Sequence, residues 1–250
     1  MHRTPHPSAP SASAPHVVRI HAPGCPDAEL WLVRPSGPPG TADLTVLDAT
    51  ERRRAAAFRR PARAAPYVAA HVALRHLLGE RIGVRPEQVV LRREAGGRPV
   101  LAGRSPTVHF SLSHSGGVAL LGIADRVIGV DVQCLPGASA VELCGGRLHP
   151  AERAEVLARP PGDRPEHFAR LWARKEAYLK GLGTGLRRPL NADYLGDGGA
   201  GCPDRPAGWT VLDVPCAPGF TAALALLDAP VPTAPEPVVL PRGARGRTGP

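Results

Sequence analysis

An aspartate set between valines is the feature that most constrains this chain. The stretch Val127-Ile128-Gly129-Val130-Asp131-Val132-Gln133 alternates with the two-residue period of a half-buried strand. Ile128, Val130 and Val132 are predicted to face a core, with Gly129, Asp131 and Gln133 on the other side. Asp and Gly are poor strand formers, so both need a cause. One reading makes the carboxylate a ligand held on a rigid element, with the glycine leaving room for a substrate. The other places Asp131 at a sheet edge, capped by a turn.

A chain of 250 residues suffices for one large domain or two of ordinary size. Hydrophobic residues make up 43% of it and aromatic residues only 4%, which assigns the core to Ala, Leu and Val. Glycine (28) and proline (30) concentrate at the ends and in loops. Residues 1–15 and 229–250 therefore read as disordered tails around a folded middle. The formal charge of +9 suits nucleic acid, a membrane surface, an acidic protein or a phosphorylated ligand. Aromatics are too sparse to interleave with the basic residues, which argues against nucleic acid. The cysteines are odd in number, five, with no Cys-x-x-Cys pair, so neither a disulfide framework nor a zinc site is indicated. The chain lacks an apolar run of about 18 residues and an apolar segment after Met1. The expectation is a reduced, cytoplasmic, soluble protein without a membrane partner.

Short apolar runs at Val17–Ile20 and Leu30–Val33 suit strands. A helical pattern runs from Asp48 to Leu78, crosses Arg52, Arg53 and Arg54, and is interrupted by Pro61 and Pro66. Gln88–Arg92 reads as a strand and Ala95–Pro99 as a turn. Then Val108-His109-Phe110-Ser111-Leu112-Ser113-His114-Ser115-Gly116-Gly117 ends an apolar alternation in hydroxyls, an imidazole and two glycines. Such groups can cradle a phosphate, or form an ordinary polar turn. A Ser113–His114 nucleophile pair is disfavoured, because neighbours on an extended chain point to opposite sides. Val118–Ile123 and Val127–Val132 are expected to form a hairpin, with Asp131 on its second arm. Pro150 opens a short helix, and a longer one is predicted over Pro165–Leu182. In it Trp172, Glu176 and Lys180 rise along one stripe at spacings of four. Glu176 and Lys180 read either as a surface ion pair or as a carboxylate and an amine aimed at a metal-phosphate centre. Trp209–Val214 and Phe220–Leu227 read as strands.

In order, Gly97-Arg98-Pro99, Phe110-Ser111-Leu112-Ser113-His114-Ser115-Gly116, Gly129-Val130-Asp131-Val132 and Trp172-Ala173-Arg174-Lys175-Glu176-Ala177-Tyr178-Leu179-Lys180 resemble the 4′-phosphopantetheinyl transferases of the Sfp type. The resemblance spans about Asp48 to Leu227. It implies an α+β pseudo-dimer of two similar halves, with the active site in the cleft between them. The halves are placed at 16–126, binding coenzyme A, and 127–228, binding Mg²⁺ and carrying catalysis. The implied reaction moves the phosphopantetheine arm of coenzyme A to a serine of an acyl or peptidyl carrier protein and releases adenosine 3′,5′-bisphosphate. By position, Asp131 and Glu176 resemble Mg²⁺ ligands, and Gln133 stands where many members place a third, acidic ligand. Glu176 resembles the residue that orients or deprotonates the serine, and Lys180 the one that binds the pyrophosphate. Ser113, His114, Arg98 and Arg54, with Arg52 or Arg53 beside it, resemble coenzyme contacts. An acidic carrier protein and a monomeric enzyme are expected. The competing classes are a metal-dependent phosphodiesterase or nuclease, and a coenzyme A-binding module without transfer activity.

Overall fold

A computed structural model describes residues 14–103, 107–199 and 201–228. The tails expected at 1–15 and 229–250 lie outside the described residues, apart from Ala14 and Pro15. Strands β1 (His16–Ile20) and β2 (Glu29–Arg34) form where the apolar runs predict them. Three helices follow, α1 (Thr41–Val46), α2 (Ala49–Ala56) and α3 (Pro61–Ile82). The Asp48 carboxylate accepts from the N–H groups of Thr50 and Glu51, and Glu51 accepts from the Asp48 N–H. This capping box starts α2. The one interrupted helix expected from Asp48 to Leu78 is therefore two. Pro61 opens α3 instead of breaking it, since the first helical position has no use for an N–H. Pro66 lies inside α3 without ending it. Val68, Ala70, Val72, Leu74 and Leu78 are at most 5% exposed, and their burial outweighs one lost backbone bond.

A small hairpin of β3 (Leu91–Arg93) and β4 (Pro99–Leu101) comes next. The strand expected from Gln88 starts late because Pro86–Gln88 form a 3-10 turn. Strands β5 (His109–Ser115) and β6 (Val118–Ala124) are joined through Gly116 and Gly117, at φ +53° and +84°. A two-residue hairpin needs that left-handed backbone. The chain then makes β7 (Ile128–Cys134), α4 (Ala138–Cys144), α5 (Pro150–Ala158), α6 (Arg164–Leu182), β8 (Trp209–Asp213) and β9 (Phe220–Leu227).

The strands form two antiparallel sheets besides the small hairpin, in the orders β1-β2-β6-β5 and β7-β9-β8. The expected hairpin between Val118–Ile123 and Val127–Val132 is not made. Both edges of β6 are taken, by β2 and β5, so the chain crosses to the second sheet and β7 pairs with β9, Asp131 opposite Ala223. The sheets share a core of Leu30, Val118, Leu120, Ile128, Val130, Val132, Leu224 and Leu226. Helix α3 covers the far face of the first sheet through Ala70, Leu74 and Leu78 against Trp31, Phe110 and Leu121. Helix α6 covers the far face of the second, through Ala173, Ala177 and Tyr178 against Val211, Ala223 and Ala225. The result is a mixed α/β molecule layered helix, sheet, sheet, helix. Strand β7 is thus buried on both faces, not half-buried as its alternation suggests.

Candidate active site

Asp131 lies on β7, the edge strand of the second sheet, and β5 runs alongside as the edge of the first. Alternate serines of β5 close this seam. The Ser111 hydroxyl accepts from the Val130 N–H at 3.0 Å, and the Ser115 hydroxyl from the Cys134 N–H at 3.1 Å. Between them the Ser113 hydroxyl donates to Asp131 Oδ1 at 2.6 Å. Hydroxyls thus replace part of a missing backbone ladder, and Ser113 faces Asp131. Leu112 and His114 face the other way, into a separate pocket. Ser113 and His114, each expected among the coenzyme contacts, are on opposite sides of the strand, as the extended backbone predicts.

Asp131 is 2% exposed. Its Oδ1 also accepts from Lys180 Nζ at 2.6 Å, and its Oδ2 from Gln133 Nε2 at 2.7 Å. Gln133 thus shares the Asp131 side, as its spacing predicts, but turns its nitrogen to the carboxylate. An ionised carboxylate only accepts hydrogen bonds, so the amide oxygen must be the other end. Lys180 Nζ further donates to the Val130 carbonyl at 3.1 Å. The helix bearing Lys180 packs very close to β7. A Cβ on Gly129 would stand 1.9 Å from the Ala177 carbonyl oxygen and 2.5 Å from the Gly181 nitrogen. Gly129 therefore makes room for the backbone of α6, not for a substrate.

Glu176, one turn before Lys180, is half-buried, with no hydrogen-bond donor to its carboxylate among the described residues. Burial, and then the negative charge of Asp131, push its pKa above the ordinary value, against the opposing pull of Lys180. Two hard-oxygen donors that repel each other across one site fit a divalent cation. Trp172, first residue of the stripe, is half-buried and walls a recess of about 130 Å³ with Phe168, Ala169, Gln133 and Cys134.

A larger pocket, about 640 Å³, opens between α2, α3, β3 and β5. Arg54, Arg92, Arg93, Tyr67, His71 and His114 are among its lining residues. Desolvation lowers the His114 pKa, and the Lys180 and Arg54 charges add to this; His114 follows Ser113, which bonds Asp131, so the pocket and the Asp131–Lys180 pair lie on the two sides of one strand. Of the three arginines in α2, Arg52 is tied to the Leu47 carbonyl and Arg53 to Thr50. Arg54 is the one in the pocket. Arg98 is not in it: Nε donates to Glu94 at 3.1 Å and a terminal nitrogen to the Gly181 carbonyl at 2.9 Å, at the end of α6. Its neighbour Pro99 lines the pocket in its place. The wall is stiffened by buried Arg75, which donates to Glu51 at 2.6 Å and Asp48 at 2.8 Å. Burial alone would raise the Glu51 pKa, but hydrogen bonds from His71, the Asp48 N–H and Arg75 hold it below its ordinary value.

Sequence reasoning left Lys175 without a role. The structure buries it to 1% exposure. It pairs with Glu152 at 2.8 Å and donates to the carbonyls of Leu190 and Asp193 at 2.6 Å each. This fixes α6 against α5 and the loop before β8. The one available signal was a lysine at helical spacing from Leu171, Tyr178 and Leu179, on a face otherwise reading as buried. A second group with metal-ligand spacing, Glu155 on α5, His167 on α6 and Asp197 in the loop before β8, has ligand atoms within 4.8 Å of one another. Its carboxylates are already held, Asp197 by Arg159, Arg170 and Arg174 and Glu155 by Tyr194. It is an ion-pair knot separate from Asp131.

Two family models match consecutive stretches. The 4′-phosphopantetheinyl transferase N-terminal model covers residues 34–125, and the 4′-phosphopantetheinyl transferase superfamily model covers 127–198. The chain belongs to the 4′-phosphopantetheinyl transferase superfamily. The first match contains Arg54, Arg98, Ser113 and His114, the second Asp131, Gln133, Glu176 and Lys180. They meet where the chain crosses from one sheet to the other. Among curated relatives, 4′-phosphopantetheinyl transferase HetI of Nostoc sp. is 34% identical over 57% of this chain and 62% of its own. The transferase psf-1 of Bacillus pumilus is 31% identical over 48% and 51%. The L-aminoadipate-semialdehyde dehydrogenase-phosphopantetheinyl transferase of Xenopus laevis is 31% identical over 52% and 46%. The chain thus spans roughly half to three-fifths of these superfamily members. A solved structure, the holo-[acyl-carrier-protein] synthase of Thermotoga maritima, is 26% identical over 41% of this chain and 64% of its own, with a TM-score of 0.33.

Proposed function

We propose that this protein transfers the 4′-phosphopantetheine arm of coenzyme A to a serine hydroxyl of an acyl or peptidyl carrier protein, releasing adenosine 3′,5′-bisphosphate. The observation that carries the reading is the Asp131–Lys180–Glu176 constellation, set beside a basic pocket of about 640 Å³. Arg54 and His114 bind the phosphates of the adenosine end in that pocket, with Arg92 and Arg93 on the same wall. Asp131 and Glu176 would hold Mg²⁺, with Gln133 and Ser113 orienting Asp131. An ion held there would supply charge neutralisation for the pyrophosphate.

Glu176 takes the proton of the attacking serine. The serine oxygen forms the new bond to the phosphorus nearest the pantetheine, and the bond from that phosphorus to the bridging oxygen breaks. Lys180 stabilises the negative charge that develops on the leaving adenosine bisphosphate. Arg98, bonded to the Gly181 carbonyl, positions the end of the helix that carries these groups.

The two halves, 16–126 and 127–228, make a pseudo-dimer in this reading. Its support is that each has a long helix over an antiparallel sheet, with the site at their seam. The charge of +9 suits an acidic carrier partner. The reading is completed by a cytoplasmic monomer serving polyketide or nonribosomal-peptide synthesis; among the described residues no helix is long and apolar enough to cross a membrane. The test is mass spectrometry of an apo carrier protein incubated with this chain, coenzyme A and Mg²⁺. A gain of one phosphopantetheine arm, abolished by chelator, is expected. No gain across several acyl and peptidyl carriers overturns the reading.

A further inference from the structure

Asp131 is offered to a cation as a ligand with three of its four lone-pair positions already occupied. A carboxylate oxygen has two lone-pair positions. On Oδ1 both are used, one by Ser113 at 2.6 Å and one by Lys180 at 2.6 Å. On Oδ2 one is used, by Gln133 at 2.7 Å. A hard dication takes such oxygens at about 2.0–2.1 Å, too near an ammonium on the same atom for both to stay. Of the three donors, Ser113 and Gln133 ride on β-strands and carry no charge. Lys180 is the charged one, and its side chain is 29% exposed against 3% for Asp131. It has a flexible four-carbon stem that can swing. It is the donor that can leave.

Where it would go is equally constrained. In the proposed function the ammonium meets the pyrophosphate charge; Ser113, which bonds Asp131 beside it, directly precedes His114 on the wall of the basic pocket, so one strand separates the pair from an anion seated there. From this geometry we propose that Lys180 is an exchangeable counter-ion. It neutralises buried Asp131 until a divalent cation and a pyrophosphate anion arrive together, the cation taking its place on Asp131 and the anion receiving the ammonium. The inference rests on the metal-site reading above and adds a coupling to it. Anion binding frees Asp131 for the metal, and by linkage the metal strengthens anion binding by the same factor. Without such an exchange, leaving Asp131 buried and unpaired is strongly unfavourable.

The test is calorimetric titration of Mn²⁺ into the full chain, with and without saturating coenzyme A. The wild type binds Mn²⁺ weakly alone and more tightly with coenzyme A. Lys180→Met binds Mn²⁺ alone more tightly than the wild type, by about 5- to 150-fold, the range of ordinary site coupling, and the gain from coenzyme A shrinks by a similar factor. Lys180→Gln, which keeps a hydrogen bond but no charge, does the same and serves should the Met variant fail to fold. Lys180→Arg keeps the charge and stays as weak as the wild type. Uncharged variants that bind Mn²⁺ alone no better than the wild type overturn the exchange while leaving the metal site standing. Mn²⁺ bound by no variant, even with coenzyme A, overturns the metal-site reading and the exchange with it.

Discussion

Replacing Gly129 with alanine tests whether the site is set by the approach of α6 to β7. The added Cβ would lie 1.9 Å from the Ala177 oxygen and 2.5 Å from the Gly181 nitrogen, where real contacts are essentially never under 3.0 Å. Relief needs a shift of at least 3.0 − 1.9 = 1.1 Å. Both obstructing atoms are backbone of one helix, the carbonyl and N–H four residues apart that an α-helix bonds together, so no side chain can rotate away. Overpacking of this kind costs about 1–3 kcal/mol and sometimes more, and a clash with backbone belongs at the upper end. At about 2–4 °C per kcal/mol for a chain this long, melting should fall by roughly 6–12 °C. Gly145→Ala is the control, since nothing lies within 4 Å of its Cβ position and its φ of −57° is helical; it should be neutral or stabilising by up to about 1 kcal/mol. Thermal unfolding followed by circular dichroism reads both. A Gly129→Ala protein melting within about 2 °C of the wild type would refute the claim that the glycine exists for the helix.

Glu176→Gln should lower turnover by about 10²–10⁴-fold while coenzyme A affinity stays near normal; an equal fall in affinity would remove the general-base role. Gln133→Glu replaces a donor to Asp131 with a second carboxylate. Its melting temperature should drop in chelator and recover with Mg²⁺, and a half-saturating Mg²⁺ concentration below the wild type's is expected in the transfer assay. Indifference to Mg²⁺ in both assays would place Gln133 away from the metal. Arg174 and Arg170 hold Asp213 below its ordinary 3.8, and Arg174, Arg170 and His167 do the same for Asp197, in each case against burial. Glu51 is likewise below 4.5. Groups lowered on folding stabilise above their unfolded values and lose that contribution as pH falls through the folded ones. Glu176, raised, runs the other way. Burial lowers His109, His114 and His167 below 6.5, so melting should decline gently as pH falls from 7 and steeply below about pH 4, the steep part less so in Arg174→Met; a curve unchanged by that substitution would deny the arginine its part.

Which residues are chemically out of place can be read from the order of amino acids alone. Asp131 stands out because a carboxylate between valines is poorly suited to a strand, and Glu176 and Lys180 because spacings of four share one helix face. Helix α6 and strands β2 and β9 were legible for the same reason, since period and burial are written locally. Partner choice was not. Nothing in Val127–Val132 says that its ladder partner is β9, about ninety positions on, because alternation specifies a face and not a neighbour. From that pairing follow the serine seam from β5, the closeness that makes Gly129 obligatory, and the sight line from Lys180 to Asp131. The same holds for Arg98, basic in any reading, which the tertiary structure sends to the end of α6. It also holds for Gln133, whose amide turns its nitrogen inward only because a buried carboxylate waits there. Side-chain type fixed what each group can do, and the neighbours that decide whether it does so come from distant parts of the chain.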